Sequence, residues 1–559
     1  MALLLGLHLV LALWGALRNS VTFDENFHLP SGVLIAGRGD FRISPFNPPL
    51  VKTLFALPAL AAGARLPDPA AVDTQDQWVA GESFMRRNAD RYHRVFFAAR
   101  CVVALISLAT GFLVWKYARR LQGRAAGLLA LAFYVTAAES LAHAGVATMD
   151  VATGFGMLAA VYAFWGFCRS GRWTWWLKTV LALGFCALTR FNTAILGPIL
   201  LLLAVLGTAL SRIRRPARVW LGLLLAVPAT LVILDLGYLA HVSFRPLSAW
   251  QFASPSFQHL QQRVPWLRLP LPDAYLFGLD IQAREGAGGT PTYLLHQVRS
   301  GRVWYYLPLA FLFKWPLGFL GALAARFGRD LFPGARPRRW HEAFLLVPIA
   351  MILGSAMFLF TLNIGIRYMF PLVPLLCVWL GGLAPPPSRV PAALRRRVRR
   401  WVVAGTLLAT LQAIEVGAHA PWYLSFFNWP SGGSSGGQWL VNDSNVDWGQ
   451  GLIALKDELA RRGIQRVHLA YHGTTDPAIY GIDYLPYRGG TPSRDSDWLA
   501  ISSYYYVGLW QRMTTTSGRT AGPIRFDFQR LWGARPVAMP AGCILLFSID
   551  RSGVTGPPS

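Results

Sequence analysis

About eleven stretches of this chain are apolar over the roughly 17 to 25 residues that an ~30 Å hydrocarbon layer asks of a spanning helix. They lie near 2–17, 95–115, 125–140, 150–168, 177–189, 193–210, 219–240, 303–323, 343–361, 368–384 and 401–420. A chain of 559 residues that is 54% hydrophobic, with a mean hydropathy of +0.37, therefore reads as an α-helical polytopic membrane protein and not as a string of soluble domains.

The formal charge of +26 suggests a polyanionic partner until the bases are placed. They fall in alternate short loops: Lys116, Arg119, Arg120 and Arg124; Arg169, Arg172 and Lys178; Arg212, Arg214, Arg215 and Arg218; Arg326, Arg329, Arg336, Arg338 and Arg339; Arg395, Arg396, Arg397, Arg399 and Arg400. The intervening short loops hold none over 140–149, then only Arg190, then only Arg367. That alternation is the positive-inside pattern and accounts for most of the charge, so no nucleic acid is expected. It also orients the chain in a cell membrane: the N-terminus is cytoplasmic, the loop 18–94 is outside, and an odd number of spans leaves the tail after 420 outside. Arg18-Asn19-Ser20 lacks the small-x-small pattern of a cleaved signal peptide, so the first run is expected to remain as a span.

Residues 1–420 are expected to form a transmembrane domain with long external loops at 18–94 and 241–302, and 421–559 a soluble extracytoplasmic α/β domain. The loop 18–94 carries Pro45, Pro48, Pro49 and Pro58 around an apolar stretch at 54–62, a pattern for interfacial helices. SGGSSGGQW (431–439) reads as a flexible Gly/Ser linker or turn. Beyond it, a helical pattern at 451–463 and β-like runs at 467–473, 497–507 and 543–549 change the composition to that of an α/β module. No internal repeat at a fixed period occurs, as the paired halves of many transporters would show. Cys101, Cys168, Cys186 and Cys377 lie in or beside apolar runs and only Cys543 is in the tail, so no disulfide framework follows. No compact metal-ligand spacing occurs either; no cofactor is indicated by a motif, and a divalent metal stays open.

Acid is placed sparingly. In VTFDENFHLPSG (21–32), Asp24 and Glu25 follow the first span, and in VATMDVATG (146–154), Asp150 opens the fourth from the same outer side. Asp150 also suits a helix N-cap, and the Asp24-Glu25 doublet a solvated loop. Carboxylates of proton-coupled transporters usually lie deeper, near the midplane. A hydroxyl attacking a sugar needs a base, for which Asp24 is the candidate, with Glu25 and Asp150 to position or polarise the acceptor. A lipid-phosphate leaving group needs cations. On the outer side these are few: Lys52, Arg190, Lys314 and Arg367, with Tyr368 and His28 beside them as further substrate-binding candidates. Trp304, Tyr305 and Tyr306 suit an aromatic belt or a sugar-stacking face.

The acidic doublet, NPPLVK (47–52), Asp150, YLLH…WYYLP…KWP (293–316) and IRYMFPLVP (366–374) together resemble glycosyltransferase family 39, the GT-C-fold group of protein O-mannosyltransferases and aminoarabinose transferases. VNDSNVDWGQGL (441–452) and YHGTTDPAIYGI (471–482) resemble the exported part of its phospholipid-carrier-dependent bacterial members. The resemblance implies a GT-C-like membrane domain and inverting transfer of a sugar from a polyprenyl-phosphate carrier to a protein, lipid or glycan hydroxyl at the outer face. It implies Asp24 as the first family acid, Asp150 as the second, and Lys52 and Arg367 around the carrier phosphate. Asn47 stands where many relatives have His or an acid, and His296 where Gly is common. A transporter or flippase of lipid-linked saccharides is the alternative reading. Loss of the tail is expected to change acceptor choice while sparing carrier hydrolysis.

Overall fold

The computed structural model describes residues 1–288, 291–299, 301–331, 339–359, 363–385, 395–509, 528, 531–550 and 553–555. Among them, five helices are long and apolar enough to cross a membrane, or up to seven if each of two bent pairs is one span. Of the expected runs, 2–17 and 368–384 appear as the shorter helices Ala2–Arg18 and Leu372–Leu383. Arg336 and Arg338 of the fourth basic group lie outside the described residues. The helix Asp150–Ser170 has 89% of its apolar stretch buried against 22% for Pro216–Gly237, so the first runs through the centre of the bundle and the second along its rim.

Two runs that read as single spans are broken. Arg124–Val135 and Ala138–Ala144 meet at 61°, and Tyr306–Lys314 and Leu317–Leu331 at 114°. At the second break Pro316 has no N–H to continue the helix. The carbonyls this frees are taken by Asn428, whose Nδ2 donates to Leu312 (2.6 Å) and Trp315 (2.9 Å), and Leu317 N donates to Glu415 (2.6 Å). The first break has no proline. There Gln412 Nε2 donates to the Phe133 carbonyl (2.7 Å) and His8 Nδ1 lies 3.1 Å from that of Val135. Non-helical backbone at membrane depth persists where protein partners satisfy it in this way.

The loop 18–94 folds into helices, as its composition suggests, but two of them pack inward. Glu25–Arg38 is buried from Glu25 to Ile35 and lies against Pro49–Ala61, which in turn packs on Tyr92–Gln122. Gly32 allows the approach: a Cβ there would stand 2.1 Å from the Lys52 carbonyl oxygen. In the second long loop a hairpin, Thr292–Leu294 with Gln297–Arg299, turns through Leu295 and His296, both with positive φ (50° and 62°). His296 thus adopts a conformation that glycine reaches without strain. The hairpin is tied to the C-terminal segment by Leu295 N to Leu440 O (2.8 Å) and His296 N to Trp439 O (3.0 Å).

C-terminal to the helices stands a five-stranded sheet, in the order Asp483–Pro486, Arg466–Ala470, Trp498–Ser502, Ile544–Asp550, Gly553–Thr555. The first three strands are parallel and the last two join antiparallel. Helix Leu452–Arg461 packs on it through Leu452, Leu455 and Leu459. Residues 431–439 take the compact, turn-like alternative and not an extended linker. Trp429–Ser431 and Gly433–Gly437 are short helices, fixed by Ser434 Oγ on the Ser425 carbonyl (2.6 Å) and by Gly437 seated on the Phe427 ring.

Candidate active site

Asp24 precedes the first turn of Glu25–Arg38, but its side chain makes no capping hydrogen bond. Its carboxylate instead pairs with Arg367, Oδ2 to Nη1 2.5 Å, and remains 18% exposed. Asp150 is the first residue of its helix and does not cap it either. It accepts from Thr148 Oγ1 (3.0 Å) and pairs with Arg190. The two ion pairs meet at Tyr368. The guanidinium carbons of Arg190 and Arg367 each lie 5.4 Å from the centre of its ring, and Arg367 also stacks 4.2 Å from that of Trp448. Burial disfavours the Arg367 charge, yet Asp24, with Tyr368 and Asp150 behind it, raises the guanidinium above its ordinary value. Asp24, Asp150, Arg190, Arg367 and Tyr368 therefore occupy one cluster, although they come from segments up to 343 residues apart.

His28 lies within electrostatic reach of Arg190, Arg367 and Asp150 in this cluster, and of Lys52. Burial, then the charges of Lys52, Arg190 and Arg367, hold the His28 imidazole well below its ordinary range. Its Nδ1 is buried without a hydrogen-bond partner. Lys52 is buried, donates to the Ser44 carbonyl (2.8 Å), and forms no ion pair among the described residues. Burial pushes its ammonium down to about 7. Lys52 lines a narrow open cleft with Ile35, Phe41, Pro45, Asn47, Pro49, Tyr238 and Ala274. A buried cation without an ion-pair partner is a position that an anion would complete.

Two expected site residues are used otherwise. Glu25 has no exposed surface; it takes a bidentate pair from Arg100 (2.8 and 2.6 Å) and hydrogen bonds from Thr22 N, Thr22 Oγ1 and Ala147 N. Arg100 also donates to the carbonyls of Ala16, Asn19 and Ser20, closing the end of Ala2–Arg18. Glu25 is thus a structural knot, with no oxygen left to polarise an acceptor. Lys314, at the end of Tyr306–Lys314, donates to Leu424 O (2.8 Å) and Asn445 O (2.6 Å) and lies 3.8 Å from Glu139. Two of its protons are spent on these carbonyls and its charge faces Glu139, inside the protein.

Arg100 and Trp448 were not singled out from the sequence. Arg100 carried a signal, a lone charge inside an apolar run, whereas nothing local marks Trp448 as a partner of Arg367. Among the described residues no three His, Cys, Asp or Glu side chains converge as a metal cage would require.

Residues 92–234 match the family described as dolichyl-phosphate-mannose-protein mannosyltransferase. The resemblance to glycosyltransferases holds over that segment, which includes Arg100, Asp150 and Arg190 and excludes Asp24, Lys52 and Arg367. The chain is also similar in structure to ArnT from Cupriavidus metallidurans in the apo state, at 14% identity and TM-score 0.48, covering 98% of this chain and 97% of that one. For the same protein bound to undecaprenyl phosphate the figures are 16%, 0.44, 86% and 74%. The Archaeoglobus fulgidus oligosaccharyltransferase in complex with Zn and sulfate is similar at 15% identity and TM-score 0.42, over 74% of this chain and 52% of that one. No curated protein sequence matches the chain.

Proposed function

We propose that this chain is a membrane glycosyltransferase that moves a sugar from a polyprenyl-phosphate carrier to an acceptor hydroxyl at the extracytoplasmic face, with inversion. The observation that carries the reading is the meeting of Asp24–Arg367 and Asp150–Arg190 around Tyr368, with His28 within electrostatic reach of both that cluster and the Lys52 ammonium. The family matched by residues 92–234 and the carrier bound by ArnT agree with it. A carrier phosphate entering next to Lys52 draws on Arg367 as well, which loosens the hold of that guanidinium on Asp24. The freed carboxylate accepts the proton of the acceptor hydroxyl. The acceptor oxygen bonds to the anomeric carbon, the bond from that carbon to the phosphate oxygen breaks, and the electron pair leaves on the phosphate. Lys52 and Arg367 stabilise the charge that develops there. Asp150 keeps Arg190 against Tyr368.

Purified protein incubated in detergent with labelled polyprenyl-phosphate sugar and candidate acceptors tests the reading. Formation of a glycosidic bond, lost in Asp24→Asn, is expected; a flippase gives no such product where there is no membrane to cross. Full-rate transfer by Asp24→Asn removes Asp24 from the role of base.

A further inference from the structure

One short stretch of the C-terminal segment touches both of the chain segments that carry the Asp24–Arg367 pair. On one side, Phe23 N donates to Trp448 O (2.8 Å), Ser20 N to Gln450 O (3.0 Å), and Ser20 Oγ to Gly449 O (2.8 Å). On the other, Ser444 Oγ donates to Ile364 O (2.6 Å) and Ile366 N donates to Asn445 Oδ1 (2.9 Å). The Trp448 ring then covers the Arg367 guanidinium itself. Gly365 permits the contact, since a Cβ there would stand 2.2 Å from Ser444 Oγ. The stretch is itself anchored: Asn445 Nδ2 donates to Tyr306 Oη (2.7 Å), and Lys314 holds the Asn445 carbonyl. Asp443 starts it in the left-handed region (φ 61°), with its Oδ1 accepting from Ser444 N (2.6 Å).

We propose that residues 444–450 clamp the Asp24 and Arg367 segments together, and that Ser444, Asn445 and Trp448 are positioning residues for the transfer reaction. The clamp rests on the reading under Proposed function for its chemical consequence, but its mechanical content is independent of it. A carboxylate between two mobile loops would lose its cation; the segment that holds both loops fixes the pair before substrate arrives. The C-terminal segment then belongs to the catalytic geometry, and its loss abolishes carrier turnover as well as acceptor choice.

Hydrogen–deuterium exchange on the full chain in detergent tests the mechanical part. In Trp448→Leu, exchange at both 20–27 and 363–369 rises roughly tenfold, the scale of one desolvated cation–π contact, while 452–470 is unchanged. Trp448→Phe, which keeps a ring face over Arg367, restores most of the protection. Ser444→Ala, a mild change that spares the fold, loosens 363–369 alone. Increased exchange confined to 444–450 in all three variants overturns the clamp. Transfer assays on the same samples report separately: under the clamp Trp448→Leu loses kcat with little change in KM for the carrier, and Trp448→Phe recovers it. If the wild type forms no glycosidic bond while the exchange pattern holds, the proposed reaction fails and the clamp stands.

Discussion

Asp24 has one ionic partner and partial access to solvent, while its neighbour Glu25 has every oxygen engaged and no access at all. Their amide substitutions therefore separate function from stability. Asp24→Asn is expected to lower transfer by ~100-fold or more, with a smaller fall in the melting temperature in detergent than Glu25→Gln because its carboxylate is partly exposed. Glu25→Gln leaves Arg100 as a buried unpaired charge, at a cost of about 3–5 kcal/mol, read as a large fall in that temperature. Lys52 gives a pH signature. The folded chain holds its proton only to about 7 and the unfolded chain to 10.5, so burying Lys52 opposes folding most fully below pH 7, and stability rises with pH across that window. Anion binding has the opposite slope. A phosphate monoester, with a second pKa of about 6, is already ionised there, so carrier-phosphate affinity should fall by up to about tenfold per pH unit above 7 as the ammonium discharges. Titration calorimetry with a short-chain polyprenyl phosphate checks this, and Lys52→Arg should flatten the slope; an equal slope in that variant removes Lys52 from the phosphate site. Asp24, Lys52 and Arg367 were legible because isolated charges at a membrane boundary are conspicuous. The duties of Glu25 and Lys314 were not, since their partners Arg100 and Asn445 lie 75 and 131 residues away along the chain.

Helices carry these residues to the cluster by packing that apolar periodicity describes only coarsely. The approach of Glu25–Arg38 to Pro49–Ala61 at Gly32 brings the backbone of the first against the carbonyl of Lys52 itself. Gly32→Ala should gain from helix propensity by roughly 0.5–1 kcal/mol and lose more to the clash, which is with backbone and has no flexible end to yield. A net destabilisation of roughly 1–3 kcal/mol, with weaker phosphate binding because Lys52 is displaced, is expected from thermal melts and titration. A neutral Gly32→Ala would show that the two helices can separate without cost. The broken spans show the same limit on what local sequence conveys. Pro316 announces the bend after Trp315, whereas the bend after Val135 is held by Gln412, 279 residues from the carbonyl it satisfies. The strands Arg466–Ala470, Trp498–Ser502 and Ile544–Asp550 fall on the runs that alternate or cluster as strands do; Asp483–Pro486 and Gly553–Thr555, short and rich in turn formers, do not stand out in that way.

At the scale of the whole molecule, the links between 20–23 and 448–450 require the loop after the first helix and the C-terminal sheet to lie on one side of the membrane. The ion pair of Arg18 with Asp457 (2.6 Å) repeats the constraint. We propose from the charge alternation that both lie outside and the Arg212–Arg218 loop inside, and the two arguments are independent: one concerns contacts within the protein, the other charge along the chain. Thiol labelling in intact cells joins them. Ser493 and Arg214 are exposed, and of the five native cysteines only Cys101 is not buried. A membrane-impermeant maleimide should modify Ser493→Cys in intact cells and Arg214→Cys only after permeabilisation, over a low background. The reverse pattern would put Asp24, Lys52 and Arg367 on the cytosolic face. Labelling of both from outside would mean that the number of crossings between Arg214 and Ser493 is even, which contradicts the charge pattern. Only the expected result leaves a carrier-phosphate site facing out, with the C-terminal segment on the same side to hold its acid and its cation together.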